Sequence, residues 1–338
     1  MDRTAEYFDL FDLAGKICFR PNFFQTRGRI EYLINHYMSD QQLCDRLEDL
    51  PEQFIDPQPR PWSDTNWQGV DPEQVIGIEL DVFLSIVKGA LDIEALIKNY
   101  SQTSRQYLEP IHPSVARFVS GTTDNGIVQL GLWEQEKCQH ICALHQLYQE
   151  LTGQSVIPQL KTVIRYQPQI NPYQDLYQHG LHRVATEYIA ACLYLWLMSH
   201  TTGTIQQVFG ELLQDKINHL TKFWGVGMWL YPDGAEQLIR YLLSQISTIL
   251  PVFYESTQES KANVKSTFQY MMSVLNWQSQ SVLHRGELIY TLIWILNRIW
   301  QWSGQLTPEY LHSCCATPEF FGYNSSQNSS QHWSEIVI

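Results

Sequence analysis

Trp133-Glu134-Gln135-Glu136-Lys137-Cys138-Gln139-His140 and Gln214-Asp215-Lys216-Ile217-Asn218-His219 share one pattern, acid-Lys-x-x-His. Each opens a long apolar helix. Helical bundles that hold two metals carry Glu-x-x-His on two helices at such places, with a further Glu on each of the other two. In this chain Lys stands where the Glu of each pair belongs. Fold and chemistry both turn on what that double exchange does.

Steps of three and four residues keep side chains on one helical face. Taken at those steps, Trp133, Lys137, His140, Leu144, Leu147 and Leu151 form one stripe. Leu212, Lys216, His219, Phe223, Val226 and Leu230 form another that matches it position for position. A third stripe is Val184, Glu187, Ala191, Leu195 and Met198, with Glu187 its sole charge. A fourth is Phe83, Val87, Ala90, Glu94 and Ile97, with Glu94 its sole charge. The expected fold is therefore all-α, with four helices turning Glu94, Lys137, His140, Glu187, Lys216 and His219 into one core.

An isolated buried ammonium is costly and loses its proton or finds a partner. Two Lys and two Glu sum to zero charge, as do two divalent cations and four carboxylates. Exchanging two Glu for two Lys and removing both metals preserves neutrality, which favours a metal-free polar core with no cofactor. A competing geometry exists. Glu136 and Asp215 lie four residues before His140 and His219, and such pairs also share a face. Glu94, Glu136, His140, Glu187, Asp215 and His219 would then form a carboxylate and imidazole set for iron or manganese, about two per chain. The lysines would have to turn aside, and Glu136 and Asp215 fall at the edge of the apolar stripe. Singly, an inward His is a satisfied core residue and an inward Lys snorkels to solvent. The duplication in register, with two facing Glu, argues against those plainer readings.

Composition sets the outer limits. With 338 residues, 44% hydrophobic and 13% aromatic, the chain can bury a large core. A formal charge of −13 argues against nucleic acid as a partner. The seven Cys show no metal spacing, and their odd count suggests a reducing compartment. Cys138, Cys142 and Cys192 read as small core residues. Met1–Asp9 is acidic and polar, so no signal peptide is expected. The most apolar stretches, Tyr188–Met198 and Leu288–Trp302, are shorter than a bilayer span. A soluble cytoplasmic protein is expected. No phosphate loop, nucleophile elbow or zinc spacing appears. His179 and His182 read as surface or loop residues.

Along the chain, residues 1–72 read as a helical lead-in and Pro-rich wrapping loop, 73–316 as the helical domain, and 317–338 as a disordered tail. Helices are expected at about 73–107 with a break near Gly89, from Pro113 or the Gly121–Gly126 turn to Leu151, at 176–200, and at 204–230. Tyr231-Pro232-Asp233-Gly234 stops the last of these. Further helices are expected over Ala235–Leu250 and Thr267–Ser303, with a short helix and loop at 154–175. Almost no strand alternation is visible.

Four stretches carry a resemblance. Glu94-Ala95-Leu96 with Tyr100, Trp133-x-x-Glu136-Lys137-x-x-His140, Asp215-Lys216-x-x-His219 followed by Tyr231-Pro232-Asp233-Gly234, and Arg298–Pro308 resemble the soluble acyl-carrier-protein desaturases of the ferritin-like diiron superfamily. The likeness spans roughly residues 50–316. It implies a ferritin-like four-helix bundle with flanking helices. It places Glu94 and Glu187 at terminal ligand positions, His140 and His219 at imidazole positions, and Lys137 and Lys216 on the two bridging carboxylates. Glu136 and Asp215 match residues behind the ligands. The resemblance also implies an apolar tunnel for an acyl chain, free or on an acyl carrier protein, and often a homodimer. It does not imply desaturation, because oxygen activation needs the two irons.

Competing functions follow. An enzyme would use Lys137 or Lys216 as base or Schiff-base nucleophile, with His140 and His219 shuttling protons. A dimetal oxidase would use the displaced Glu136 and Asp215. A non-catalytic scaffold would keep an apolar cavity for lipid, with Lys–Glu pairs in place of metal.

Overall fold

Asn22 caps α1 (Phe23–Tyr37) and Ser39 caps α2 (Asp40–Glu48), each through a reciprocal bond with the Gln three residues on. The computed structural model describes residues 21–124, 127–159, 171–232, 234–247, 274–275 and 280–316. Expectations for 160–170, 248–273 and the tail at 317–338 lie outside these residues. After α3 (Leu50–Ile55), Pro57, Pro59 and Pro61 keep the chain out of helix. Two short 3-10 turns, Trp67–Gly69 and Pro72–Gln74, end that segment. Next come α4 (Leu80–Glu94), α5 (Ile97–Leu108) and α6 (Pro113–Val119). Strands β1 (Thr122–Asp124) and β2 (Ile127–Gln129) pair antiparallel, with Thr123 opposite Val128. The remaining elements are α7 (Leu132–Thr152), α8 (Pro172–Ser199), α9 (Gly203–Leu230), α10 (Gly234–Ser247), α11 (Val282–Ser303) and α12 (Pro308–Cys315). The fold is mostly helical, as the periodicity predicts.

α8 and α9 run together as the most extensively packed pair, and α4 lies along α7. α7 and α9 also touch, so these four helices share one interior, with α1 and α11 packed on the outside of α8. The stripes are buried through most of their length, with Phe83, Val87, Leu144, Ala191, Leu195 and Leu212 fully covered and Leu151 and Phe223 half-buried. Burying each of the fully covered Val, Leu and Phe side chains contributes about 1.5–3 kcal/mol. Among the described residues no helix is long and apolar enough to cross a membrane.

Several boundaries differ from the expectation. The first long helix starts at Leu80, not 73, because the chain after the 3-10 turn is held against the α8–α9 turn at Val75 and Ile76. Val75 bridges Thr201, Ile76 N–H donates to His200 O, and Thr202 N–H donates to Gln74 O. The break falls at Ala95 and Leu96, directly after Glu94, and not near Gly89. Gly89 is helical, and a Cβ there would lie 2.4 Å from Val274 Cγ1, so glycine serves close packing. α8 begins at Pro172 under an Asn171 cap. The hairpin was unexpected. Glu134 holds it by accepting from the Gly121 and Gly131 N–H groups at 2.9 and 3.0 Å and from Ser101 Oγ. His179 is buried in α8, stacked on Tyr107 and bonded to Ser104, because α5 covers that face. Of the cysteines read as core, Cys192 is buried but Cys138 is half-buried and Cys142 exposed, since helix phase turns them off the stripe.

Candidate functional site

Lys137 and Lys216 project from α7 and α9 onto the same two carboxylates. Lys137 Nζ lies 3.0 Å from Glu94 Oε2 and 3.3 Å from Glu187 Oε1. Lys216 Nζ lies 2.6 Å from Glu94 Oε1 and 3.5 Å from Glu187 Oε2. Each ammonium thus spans both acids, and each acid spans both ammonium groups. All four residues are buried, Lys137 the least so at 5% exposure. Tyr194 O–H, two helical turns beyond Glu187 on α8, donates to Glu94 Oε1 at 2.9 Å.

The two motifs interlock through their histidines. His140 Nε2 meets Asp215 Oδ2 at 3.0 Å, and His219 Nε2 meets Glu136 Oε2 in a short hydrogen bond. The acid of each motif therefore serves the imidazole of the other. Both rings turn Nδ1 inward, 3.5 Å from Glu94 Oε2 for His140 and 3.3 Å from Glu187 Oε2 for His219. Glu136 and Asp215 lie at the stripe's edge in helix phase yet are fully buried, because neighbouring segments cover that flank.

Sequence reasoning missed the third layer. Arg60, from the Pro-rich segment, places Nε 2.7 Å from Asp215 Oδ1 and Nη1 2.6 Å from Glu211 Oε2. Its backbone N–H donates to Glu136 Oε1 at 3.3 Å. Trp62 Nε1–H donates to Asp215 Oδ2 at 2.8 Å, and its ring faces His140 with centroids 5.9 Å apart. The segment read as a wrapping loop therefore closes one end of the cluster. A signal was present: Glu211 lies four residues before Asp215, so α9 turns more acid than base to this face. Arg60→Ala is expected to lower stability by about 2 kcal/mol, the scale of losing hydrogen bonds to charged groups. Urea unfolding checks this.

The electrostatics follow from these contacts. Burial alone would raise the Glu94 carboxyl, but Lys137, Lys216 and His140 hold it well below the usual carboxylate range. Glu187 behaves the same way, with His219 in place of His140. Asp215 is held at about 2 by His140 and Arg60 against burial. Burial disfavours the Lys137 ammonium, yet Glu187 and Glu94 outweigh it and the group ends above its ordinary value. Lys216 ends below its own, because burial and repulsion from Lys137 exceed the pull of Glu187 and Glu94. His219 is raised by Glu136 and Glu187 against burial.

Two flanks of a stability profile result. Glu94, Glu187 and Asp215 are depressed in the folded state. Their contribution is full above the unfolded carboxylate range, about pH 4, and is lost as pH falls through the folded values. His219 is raised, so its contribution is full below the unfolded imidazole value, about 6.5, and is lost as pH rises through the folded value. Thermal melts between about pH 3 and 8 are expected to peak in the interval between, with the acid flank shallower in Glu94→Gln, which leaves Glu187 and Asp215, and the alkaline flank lost in His219→Gln.

The structure brings together Glu94, Glu136, Lys137, His140, Glu187, Asp215, Lys216 and His219, every site residue that the pattern singled out. The ammonium groups lie on the inner oxygens that a pair of metals would need, and the outer acids are bonded to imidazoles, Arg60 and Trp62. Among the described residues, no group of three or more His, Cys, Asp or Glu has the arrangement of a metal site. Lys216, His140 and His219 are each at most 1% exposed, so in this conformation they can react only with groups inside the cluster. Apart from it, an apolar groove of about 560 Å³ lies between the end of α9 and α12, lined by Met228, Trp229, Leu306 and Leu311 among others. Comparison with protein-family models, with curated proteins and with solved structures finds no match.

Proposed function

We propose that the protein is a desaturase-like member of the ferritin-like bundles that binds a long apolar, acyl-type ligand and holds no metal, its Lys/Glu/His cluster replacing a diiron centre. One observation carries this reading: Lys137 and Lys216 each bind both Glu94 and Glu187. Two fixed cations stand where two metals would otherwise balance the acids. The layer behind supports it, since Glu136 and Asp215 are committed to His219 and His140. Displacing them inward would strip both imidazoles of their Nε2 partners and Arg60 of one of its two acids, and breaking buried charge pairs is strongly destabilising. The acyl-type ligand rests on the motif resemblance together with the apolar, aromatic-rich interior.

The test is metal analysis by mass spectrometry on protein expressed with added iron and manganese, alongside organic extraction of the same sample. No stoichiometric metal and a copurifying fatty-acyl species are expected. About two metals per chain would sink the metal-free core and favour the displaced-carboxylate oxidase. A metal-free protein that retains no acyl species, and takes up none from added fatty acid, would sink the ligand assignment.

A further inference from the structure

We propose that Glu94 and Lys216 form a self-modification site, joined by an isopeptide bond between Glu94 Cδ and Lys216 Nζ. The inference rests on the reading that no metal occupies Glu94. Its geometry holds the amine and the carboxyl in direct contact, away from solvent. Lys216 Nζ is 2.6 Å from Glu94 Oε1, with both side chains buried. Lys137 Nζ is 3.0 Å from the other oxygen, Oε2, where negative charge develops in a tetrahedral intermediate. Glu187 Oε2 is 3.5 Å from the attacking nitrogen and Tyr194 O–H is on the departing oxygen, at 2.9 Å. An amine, a second carboxylate that can carry a proton, a cation and a hydroxyl donor thus surround one carboxyl, the groups that amide formation calls on.

The reaction balances without a co-reactant. The Lys216 ammonium passes a proton to Glu94 Oε1, leaving a neutral amine and a carboxylic acid. The amine lone pair forms the C–N bond at Cδ while the carbonyl electron pair moves to Oε2. Glu187 takes a proton from nitrogen and delivers it to Oε1. The Cδ–Oε1 bond breaks, the carbonyl re-forms, and one water leaves. An ammonium and a carboxylate become an amide and water. Two buried charges disappear, which removes their desolvation penalty, and Lys137 stays neutralised by Glu187. Holding the groups in contact supplies the orientation that a bimolecular encounter lacks.

The experiment is the intact mass of the denatured full chain, followed by peptide mapping. The expected mass is lower than the sequence mass by one water, with a branched peptide joining Glu94 to Lys216. Glu94→Ala, Lys216→Met and Glu187→Gln should each return to full mass. Wild-type chain at the full sequence mass overturns the proposal, as does a branch at any other pair. The wild-type reading needs no variant to fold. Metal content, measured separately on native protein, tells apart the two failures: no metal with full mass removes only the cross-link, whereas stoichiometric metal removes the underlying reading as well.

Discussion

Lys137→Met lowers the unfolding free energy by about 3–5 kcal/mol, the scale measured when one partner of a buried charge pair is removed. The substitution keeps volume and apolar stem but leaves two acids, Glu94 and Glu187, against one lysine, Lys216, whether that lysine stays an ammonium beside Glu94 or is joined to it. One carboxylate is then buried without a counter-charge. Against a total of about 5–15 kcal/mol for a typical domain, this brings the protein close to its folding threshold. Urea unfolding should show a lower midpoint at unchanged slope. Adding Glu187→Gln should recover most of the loss, because it removes the unpaired charge and keeps the shape. The single-variant defect should also shrink at acid pH, where the orphaned carboxyl takes a proton. A loss under about 1 kcal/mol would sink the claim that Lys137 is a paired core cation, since exposed pairs are worth no more than that.

The double variant Lys137→Glu/Lys216→Glu has the opposite character. It places four carboxylates around one interior, so without cations it is expected to be strongly destabilised by like-charge repulsion. On the proposed reading, the two histidines already have the orientation of ligands. Both imidazoles turn Nδ1 toward the inner acids and anchor Nε2 on a carboxylate, the outer-shell arrangement that orients metal-bound histidine. The variant should therefore take up about two divalent ions per chain and melt higher as metal is added. Metal analysis and cobalt absorption spectra read this without an activity assay. Lys137→Met/Lys216→Met is the control, lacking both the cations and the new ligands. A folded double variant that binds no metal would show that the histidine geometry is set by packing alone.

The cluster's inner members were legible in the sequence because helical period is a strict geometric rule. Lys137 and His140 on one stripe, and Lys216 and His219 on another, had to face inward together. Glu94 and Glu187, each alone in an apolar stripe, had to meet them. The rest was not legible, for reasons that are also physical. Glu136 and Asp215 sit about a hundred degrees from the stripe centre, and period cannot say whether a neighbouring helix covers that flank. Arg60 and Trp62 lie in a Pro-rich segment with no period at all, so nothing local placed them 151 and 153 residues away in sequence, on Glu211 and Asp215. The hairpin after α6 is too short to show alternation, and Glu134 and the strand pairing hold it. Gly89 looked like a break because glycine is a poor helix former, yet tertiary contact with Val274 decided otherwise.

By itself, then, the sequence determined a mostly helical chain, the inward direction of two lysines, two histidines and two glutamates, and the charge neutrality that their pairing requires. These are consequences of spacing and of the cost of burying charge. Only the tertiary structure decided that the motifs serve one another crosswise, Glu136 to His219 and Asp215 to His140, and that Arg60 closes the end. Which carboxylate reaches which imidazole depends on how two separate helices are placed beside each other. That placement is set by the packing of entire faces, which no single helix's period contains.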